Sequence, residues 1–509
     1  NYRRLEGVTR SQAAFVEWSM VAAFGMQVAA AGRNAKNVAQ RRQRAYCAWE
    51  LQNIKDAKQE LKKAYKRVEK AKSATLRVGK SSAPAASVIA PTRDTPMPRS
   101  LKQAFNCPAF GTQWREAAAE ELAGLERKKA YVPVKLPPGK KPLSMKPIFK
   151  IKFHTDGTLE KFKIRLVVGG HKAIKEEHFN DTFSPVLSIT ILRLILAIFA
   201  AYPHVETTTA DAEQAYLWSP LEEEVYVRPP EGVVVPPGWA LKLLKAIYGM
   251  PQGGREFWKL LRGIILSLGF KQSEHAHCFF WKREARGFII LMTYVDDITT
   301  TTDCPEMRTE VFNAISAQVT LVDRGVIKSF LGMEFNYNAE EHYWSITQQA
   351  FILDLCASMG LTPGESKAAY TPEIKQTWTK EMATAKSDEE RERVAKFDPR
   401  SKIGSVYWAL NCSRTDLMKC VKSPAQYIND AGDVVVAAIV RVGRYLLGTA
   451  AEGLRLYGST GDVKMRVASD ADDSGGMDRR SMLCYVSWIG SALTDTTPSA
   501  RRAFFQWSN

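Results

Sequence analysis

Two adjacent carboxylates, Asp296 and Asp297, stand where two strand-forming runs meet. Ahead of them lies the apolar stretch Gly287-Phe288-Ile289-Ile290-Leu291-Met292-Thr293, then Tyr294-Val295; behind them comes Ile298-Thr299-Thr300-Thr301-Thr302. Apolar and β-branched side chains suit a pleated, half-buried backbone, so the pattern predicts a β-hairpin with acids at its tip. Like charges held together there repel unless a cation neutralises them. A hard divalent ion such as Mg²⁺ takes carboxylate oxygens and keeps positions open for phosphates. The plain alternative is an acidic turn on an ordinary hairpin, since short motifs recur by chance.

A third carboxylate bears on that choice. Thr207-Thr208-Thr209-Ala210-Asp211 is another β-branched run, and it delivers Asp211 at a strand end. Ahead of it, Ile191 to Ala201 reads as a helix. Earlier still, Ile148 to Phe153 and Lys161 to Val168 alternate cationic and apolar residues across the turn His154-Thr155-Asp156-Gly157. That hairpin sets Lys161, Lys163 and Arg165 on one face, suited to a triphosphate, to a nucleic-acid backbone, or to water alone. Trp114 to Lys128 reads as an amphipathic helix, and Trp239 to Trp258 as strand, Gly/Pro turn and helix. In that turn glycines admit close backbone approach, while Gln252 and Arg255 supply polar handles.

With 509 residues, 45% of them hydrophobic and 25% charged, the chain has the composition of a globular protein of several domains. The formal charge of +17 implies a polyanionic partner. Residues 1–80 hold 18 Lys and Arg against 6 Asp and Glu, which places +12 of that charge at the start. Arg41 to Lys72 reads as a long basic helix whose face could meet nucleic acid, another helix or solvent. Ala13 to Ala31 reads as a packed helix and not a membrane span, so no membrane partner is expected. The stretch from Ser81 through Pro98, rich in Pro, Ala and Ser, is a linker. Eight cysteines without a C-x-x-C pair indicate neither a disulfide framework nor a zinc module, and His275-Ala276-His277-Cys278 reads as structural. Reduced thiols point to an intracellular protein. The chain starts without Met and stops in an aromatic run, as a fragment of something longer would.

Taken in order, the blocks from about Trp114 to about Tyr457 resemble the reverse transcriptase region of copia-type LTR-retrotransposon Pol polyproteins. Carrying the likeness are Arg165-Leu166-Val167, Thr182-Phe183-Ser184-Pro185-Val186, Asp211 to Leu217, Glu222-Glu223-Glu224-Val225-Tyr226, Pro230-Glu231-Gly232 and Tyr294-Val295-Asp296-Asp297. Downstream come Phe330-Leu331-Gly332-Met333-Glu334, Gly404-Ser405-Val406-Tyr407-Trp408 and Arg444-Tyr445-Leu446-Leu447-Gly448-Thr449. Two blocks depart from the pattern. Ile247 to Arg255 carries Pro251-Gln252-Gly253 where the family has K-Q-A, and Arg414-Thr415-Asp416 replaces R-P-D.

The resemblance implies an α+β right-hand polymerase of fingers, palm and thumb, with a basic helical N-terminal region and a truncated ribonuclease H-like segment at the end. The implied organisation is 1–80 basic region, 81–100 linker, 101–345 fingers and palm, 346–460 thumb and connection, and 461–509 partial ribonuclease H. By the same likeness Asp211 and Asp296 hold two Mg²⁺ ions, or Mn²⁺ in their place, with Asp297 assisting. Lys163 and Arg165 take nucleotide phosphates and Gln252 contacts the incoming nucleotide. Tyr216, if it is not simply a core aromatic, lies beneath the sugar and leaves no room for a 2′-hydroxyl. Expected partners are an RNA or DNA template with its primer and dNTPs, in cytoplasmic element particles or the nucleus, with self-association left open. Asp470, in Ala468-Ser469-Asp470-Ala471-Asp472, would be the first ribonuclease H metal ligand; the later ones are not in this sequence, so that activity is doubtful. Asp473-Ser474-Gly475 spells an aspartic-protease triplet but reads as a loop. A different reading is a degenerate element remnant that binds nucleic acid through its basic regions without polymerising. The retention of Asp211, Asp296, Asp297, Tyr216 and Gln252 together argues against it.

Overall fold

The computed structural model describes residues 91–92, 95–153, 158–373 and 378–458, and the backbone of three later strands, Lys464–Asp472, Met482–Gly490 and Ala503–Ser508. The expected basic helix, the Ala-rich helix, most of the linker, the 154–157 turn and the Asp473 triplet lie outside the described residues. The architecture is α+β, and the chain forms two compact units that interleave along its length. One takes Pro185–Glu213 and the residues from Gly263 on; the other takes the described residues up to Ser184 together with Gln214–Arg262.

The first unit is built on a six-stranded antiparallel sheet. Its spatial order is Leu321–Val326, Glu206–Ala212, Asp297–Thr302, Gly287–Tyr294, Phe279–Glu284 and Lys271–Gln272. Phe288 to Thr293 is buried without a break, which is why this strand reads as a continuous apolar run and not as an alternation. The neighbouring threonines are held by their hydroxyls as well as by shape. Thr207 Oγ1 lies 3.0 Å from Thr301 Oγ1 and Thr208 Oγ1 lies 2.7 Å from Thr300 Oγ1, cross-strand bonds that set the register. The helix Ile189–Phe199 is apolar almost all round and correspondingly buried, with Phe199 stacked on Phe288 at 5.1 Å. A second helix, Pro305–Ser316, begins with proline at its first turn, where the missing N–H costs nothing, and buries Met307, Val311 and Ile315 at helical spacing.

Further along this unit, a four-stranded sheet, Ser329–Phe330, Met333–Asn338, Tyr343–Thr347 and Leu454–Tyr457, accompanies a helical cluster with a core around Ile352, Val406, Val421, Val435 and Ile439. Two of the sequence blocks meet here. Arg414 is buried and donates to Asp416 Oδ1 at 3.0 Å, Asp416 Oδ2 at 2.7 Å and the Thr449 carbonyl at 2.9 Å, while Tyr445 Oη donates to Asp416 at 2.9 Å. Thr415 opens a short 3₁₀ turn. Asp470 lies on the first strand of the three-stranded sheet at the end, opposite Cys484 in the register.

The second unit carries the cationic hairpin, Met145–Phe153 paired with Leu159–Val168. Its apolar face packs on the helix Gly111–Arg127, where Trp114 meets Phe149 and Phe162 edge-on at 5.3 and 4.7 Å. A three-stranded sheet of Tyr131–Lys135, Trp239–Leu243 and Tyr226–Val227 completes it. Among the described residues six cysteines are free thiols, and no helix is long and apolar enough to cross a membrane.

Candidate active site

The hairpin turn consists of Val295 and Asp296, with Asp297 already the first residue of the returning strand. Val295 adopts φ +54°, a left-handed conformation that a β-branched residue avoids at a cost of roughly 1–3 kcal/mol. The surrounding sheet holds it there. Asp297 pairs with Tyr294 on one side and directly with Asp211 on the other, and the Asp296 carbonyl accepts from the Ala212 N–H at 2.8 Å. Three carboxylates therefore share one end of the sheet. Burial, then the charges of Asp296 and Asp211, push the Asp297 carboxyl up to about 6.

Donors that are all carboxylate oxygens, on neighbouring positions and mutually repelling, fit a hard divalent cation in kind and in adjacency. As the side chains stand, however, no three Asp, Glu, His or Cys among the described residues converge on a single point. Asp211 is otherwise engaged: its Oδ2 lies 3.6 Å from the Arg324 guanidinium. Arg324 belongs to the strand Leu321–Val326, whose register slips between Asp323 and Gly325. The residues alone drew no attention to it, although the glycine that interrupts this strand at Gly325 was a legible sign of a bulge.

In the second unit, Lys161, Lys163 and Arg165 do share the face opposite the buried Phe162, Ile164 and Leu166. The pairing sets Lys163 opposite Lys150 and Lys161 opposite Lys152, like charges that face each other at some cost and so favour an anion across them. Burial first, and then the neighbouring cations Arg165, Lys152 and Lys161, lower the Lys163 pKa. Arg165 lies over the Tyr248 ring at 4.1 Å, and that ring stands 4.7 Å from Tyr216. Tyr248 is fixed there because its carbonyl accepts from Val168 N–H at 2.8 Å. The next residue, Gly249, has φ +88°, and any Cβ on it would meet the Val168 carbonyl at 2.3 Å. Tyr216 sits in the short 3₁₀ turn Ala215–Trp218, its ring 3.4 Å from where a Cβ on Gly253 would stand, so the glycine pair makes room for it. Gln252 points inward. It is 1% exposed, its Nε2 donates to the His178 carbonyl at 2.8 Å, and its Oε1 is buried without a hydrogen-bond partner. Arg255 is tied to Asp181 at 2.9 Å and to the Phe183 carbonyl at 3.0 Å.

Residues 128–375 match the reverse transcriptase (RNA-dependent DNA polymerase) family. Over 402 residues the chain is 29% identical to the retrovirus-related Pol polyprotein from transposon TNT 1-94 of Nicotiana tabacum, covering 78% of this chain and 30% of that protein. It is also 29% identical over 403 residues to the Pol polyprotein from transposon RE2 of Arabidopsis thaliana, covering 77% of this chain and 26% of the relative. The chain thus spans under a third of the length of either. The solved foamy viral protease–reverse transcriptase in complex with double-stranded DNA superposes with a TM-score of 0.36 at 10% identity, over 78% of this chain and 56% of that one, a likeness too distant to bear on the site.

Proposed function

We propose that the chain carries a retrotransposon Pol reverse-transcriptase region and is an RNA-directed DNA polymerase, adding dNTPs to a primer 3′-hydroxyl along an RNA or DNA template. The observation that carries this reading is the direct pairing of Asp297 with Asp211, with the Asp296 carbonyl bonded to Ala212 beside them. Asp211 and Asp296 would hold two Mg²⁺ ions, with Asp297 assisting beside them. When bound, such ions activate the primer hydroxyl and neutralise the leaving pyrophosphate. The protein's own share is position and charge. Lys163 and Arg165 bind nucleotide phosphates, and Arg165 is oriented for this by its stack on Tyr248. Tyr216 is the wall that refuses a 2′-hydroxyl, braced by Tyr248. Gln252 reaches the nucleotide by turning out of its buried seat, since the residue is 1% exposed and its Nε2 is committed to the His178 carbonyl.

The test is primer extension on a poly(rA) template with an oligo(dT) primer, dTTP and Mg²⁺. Divalent-dependent incorporation is the expected result. Purified, folded protein that binds template–primer yet adds no nucleotide in Mg²⁺ or Mn²⁺ refutes the polymerase reading in favour of a binding remnant.

A further inference from the structure

Arg324 is the residue left over when its strand pairs with the strand of Asp211: Asp323 faces Ala210, Gly325 faces Thr209, and Arg324 falls between them. A bulge of this kind turns the extra residue out of the pleat and re-aims its side chain. Gly325 makes the bulge affordable with φ +70°, where other residues are strained. Asp323 locks it, its Oδ1 accepting from Gly325 N–H at 2.8 Å and from Arg308 Nη2 at 2.5 Å. Arg308 is anchored in turn, its Nε donating to Thr208 Oγ1 at 2.7 Å, and Thr208 lies on the same strand as Asp211. All of this supports one outward contact, the 3.6 Å approach of Arg324 to Asp211.

We propose that Arg324 is a built-in counter-cation for Asp211, which it neutralises before metal arrives and releases when a divalent ion takes the carboxylate. Metal binding is then an exchange of one cation for another, and Arg324 sets how much divalent ion the site requires. The bulge gives the guanidinium a fixed origin, while its 58% exposure lets it swing into water at little cost. An exchangeable partner needs that combination; a structural ion pair would be buried and tied by further hydrogen bonds. The inference rests on Asp211 being a metal ligand.

Mn²⁺ binding to the full chain, measured by calorimetry and by the paramagnetic resonance of the free ion without nucleotide, tests it apart from activity. Arg324→Met should bind Mn²⁺ about 2–5-fold more tightly, the range that an exposed ion pair commands. Arg324→Lys keeps the charge and should stay near the wild-type constant. Lys328→Met removes the same charge from an exposed position outside the bulge and should change nothing. Unchanged or weaker binding in Arg324→Met, or equal tightening in Lys328→Met, overturns the proposal. Asp211→Asn separates the two levels. If it leaves Mn²⁺ binding intact, the metal-site reading itself fails; if it weakens binding while Arg324→Met has no effect, only the counter-cation role is lost.

Discussion

Replacing Asp297 with Asn should make the metal-free protein more stable at pH 8, although it removes a group central to the proposed chemistry. Burial and the charges of Asp296 and Asp211 raise the Asp297 carboxyl from 3.8 to about 6. Each pKa unit is worth about 1.4 kcal/mol, so the ionised side chain burdens the native state by at most ~3 kcal/mol. Partial solvent access lowers that to ~1–2 kcal/mol. The sign follows from proton counts. Between about pH 4 and pH 6 the native state keeps a proton that the unfolded chain has lost, so stability falls as pH rises through this window and stays lower above it. Asp297→Asn removes the burden, and a shift of ~2–8 °C upward in Tm is expected at pH 8 in EDTA for a domain of this size. The gap should narrow towards pH 4.5, where the wild-type carboxyl is protonated. Mg²⁺ should raise the wild-type Tm more than that of the variant, because only the wild type has the full charge to neutralise. Thermal unfolding followed by circular dichroism at pH 4.5 and 8, with EDTA and with Mg²⁺, measures all four conditions. If the variant is less stable than wild type at pH 8 in EDTA, the carboxylate is a net stabilising group and the repulsion argument fails.

Asp296→Asn should nearly abolish primer extension while leaving template–primer affinity within about twofold, because the side chain is assigned to metal and not to nucleic acid; extension near the wild-type rate would sink the two-metal assignment. Tyr216→Val should raise incorporation of CTP relative to dCTP, read as the ratio of kcat/KM for the two substrates, since only a hard wall can reject one added hydroxyl strongly. A parallel decline in both would make Tyr216 a packing residue. Removing residues 1–80, which carry +12 of the formal charge, should flatten the slope of log K against log salt for template binding. An unchanged slope would assign that segment to other contacts.

Local chemistry by itself determined the strands, the cationic ribbon and the identity of the acids. β-Branched runs around Asp211 and Asp297, and the strict alternation from Lys161 to Leu166, state their conformation and their faces within a few residues, because side-chain period and backbone sterics act locally. Other features depend on partners far along the chain. Which residue stands opposite Asp211 is a matter of register, and it was decided by the Thr207–Thr301 and Thr208–Thr300 hydroxyl pairs together with the Asp296–Ala212 bond. The left-handed Val295 runs against its own side chain's preference, and the paired strands on either side of the turn impose it. Gln252 looks like a free polar handle in a glycine turn, yet the His178 loop claims its amide, and Arg414 looks like a turn residue until Thr449 comes to meet it. Arg324 is the clearest case: its sequence neighbours give it no reason to face an acid. Pairing decides it: Val322 stands opposite Asp211, and Arg324, two residues on and unpaired where the register slips, comes within 3.6 Å of that carboxylate.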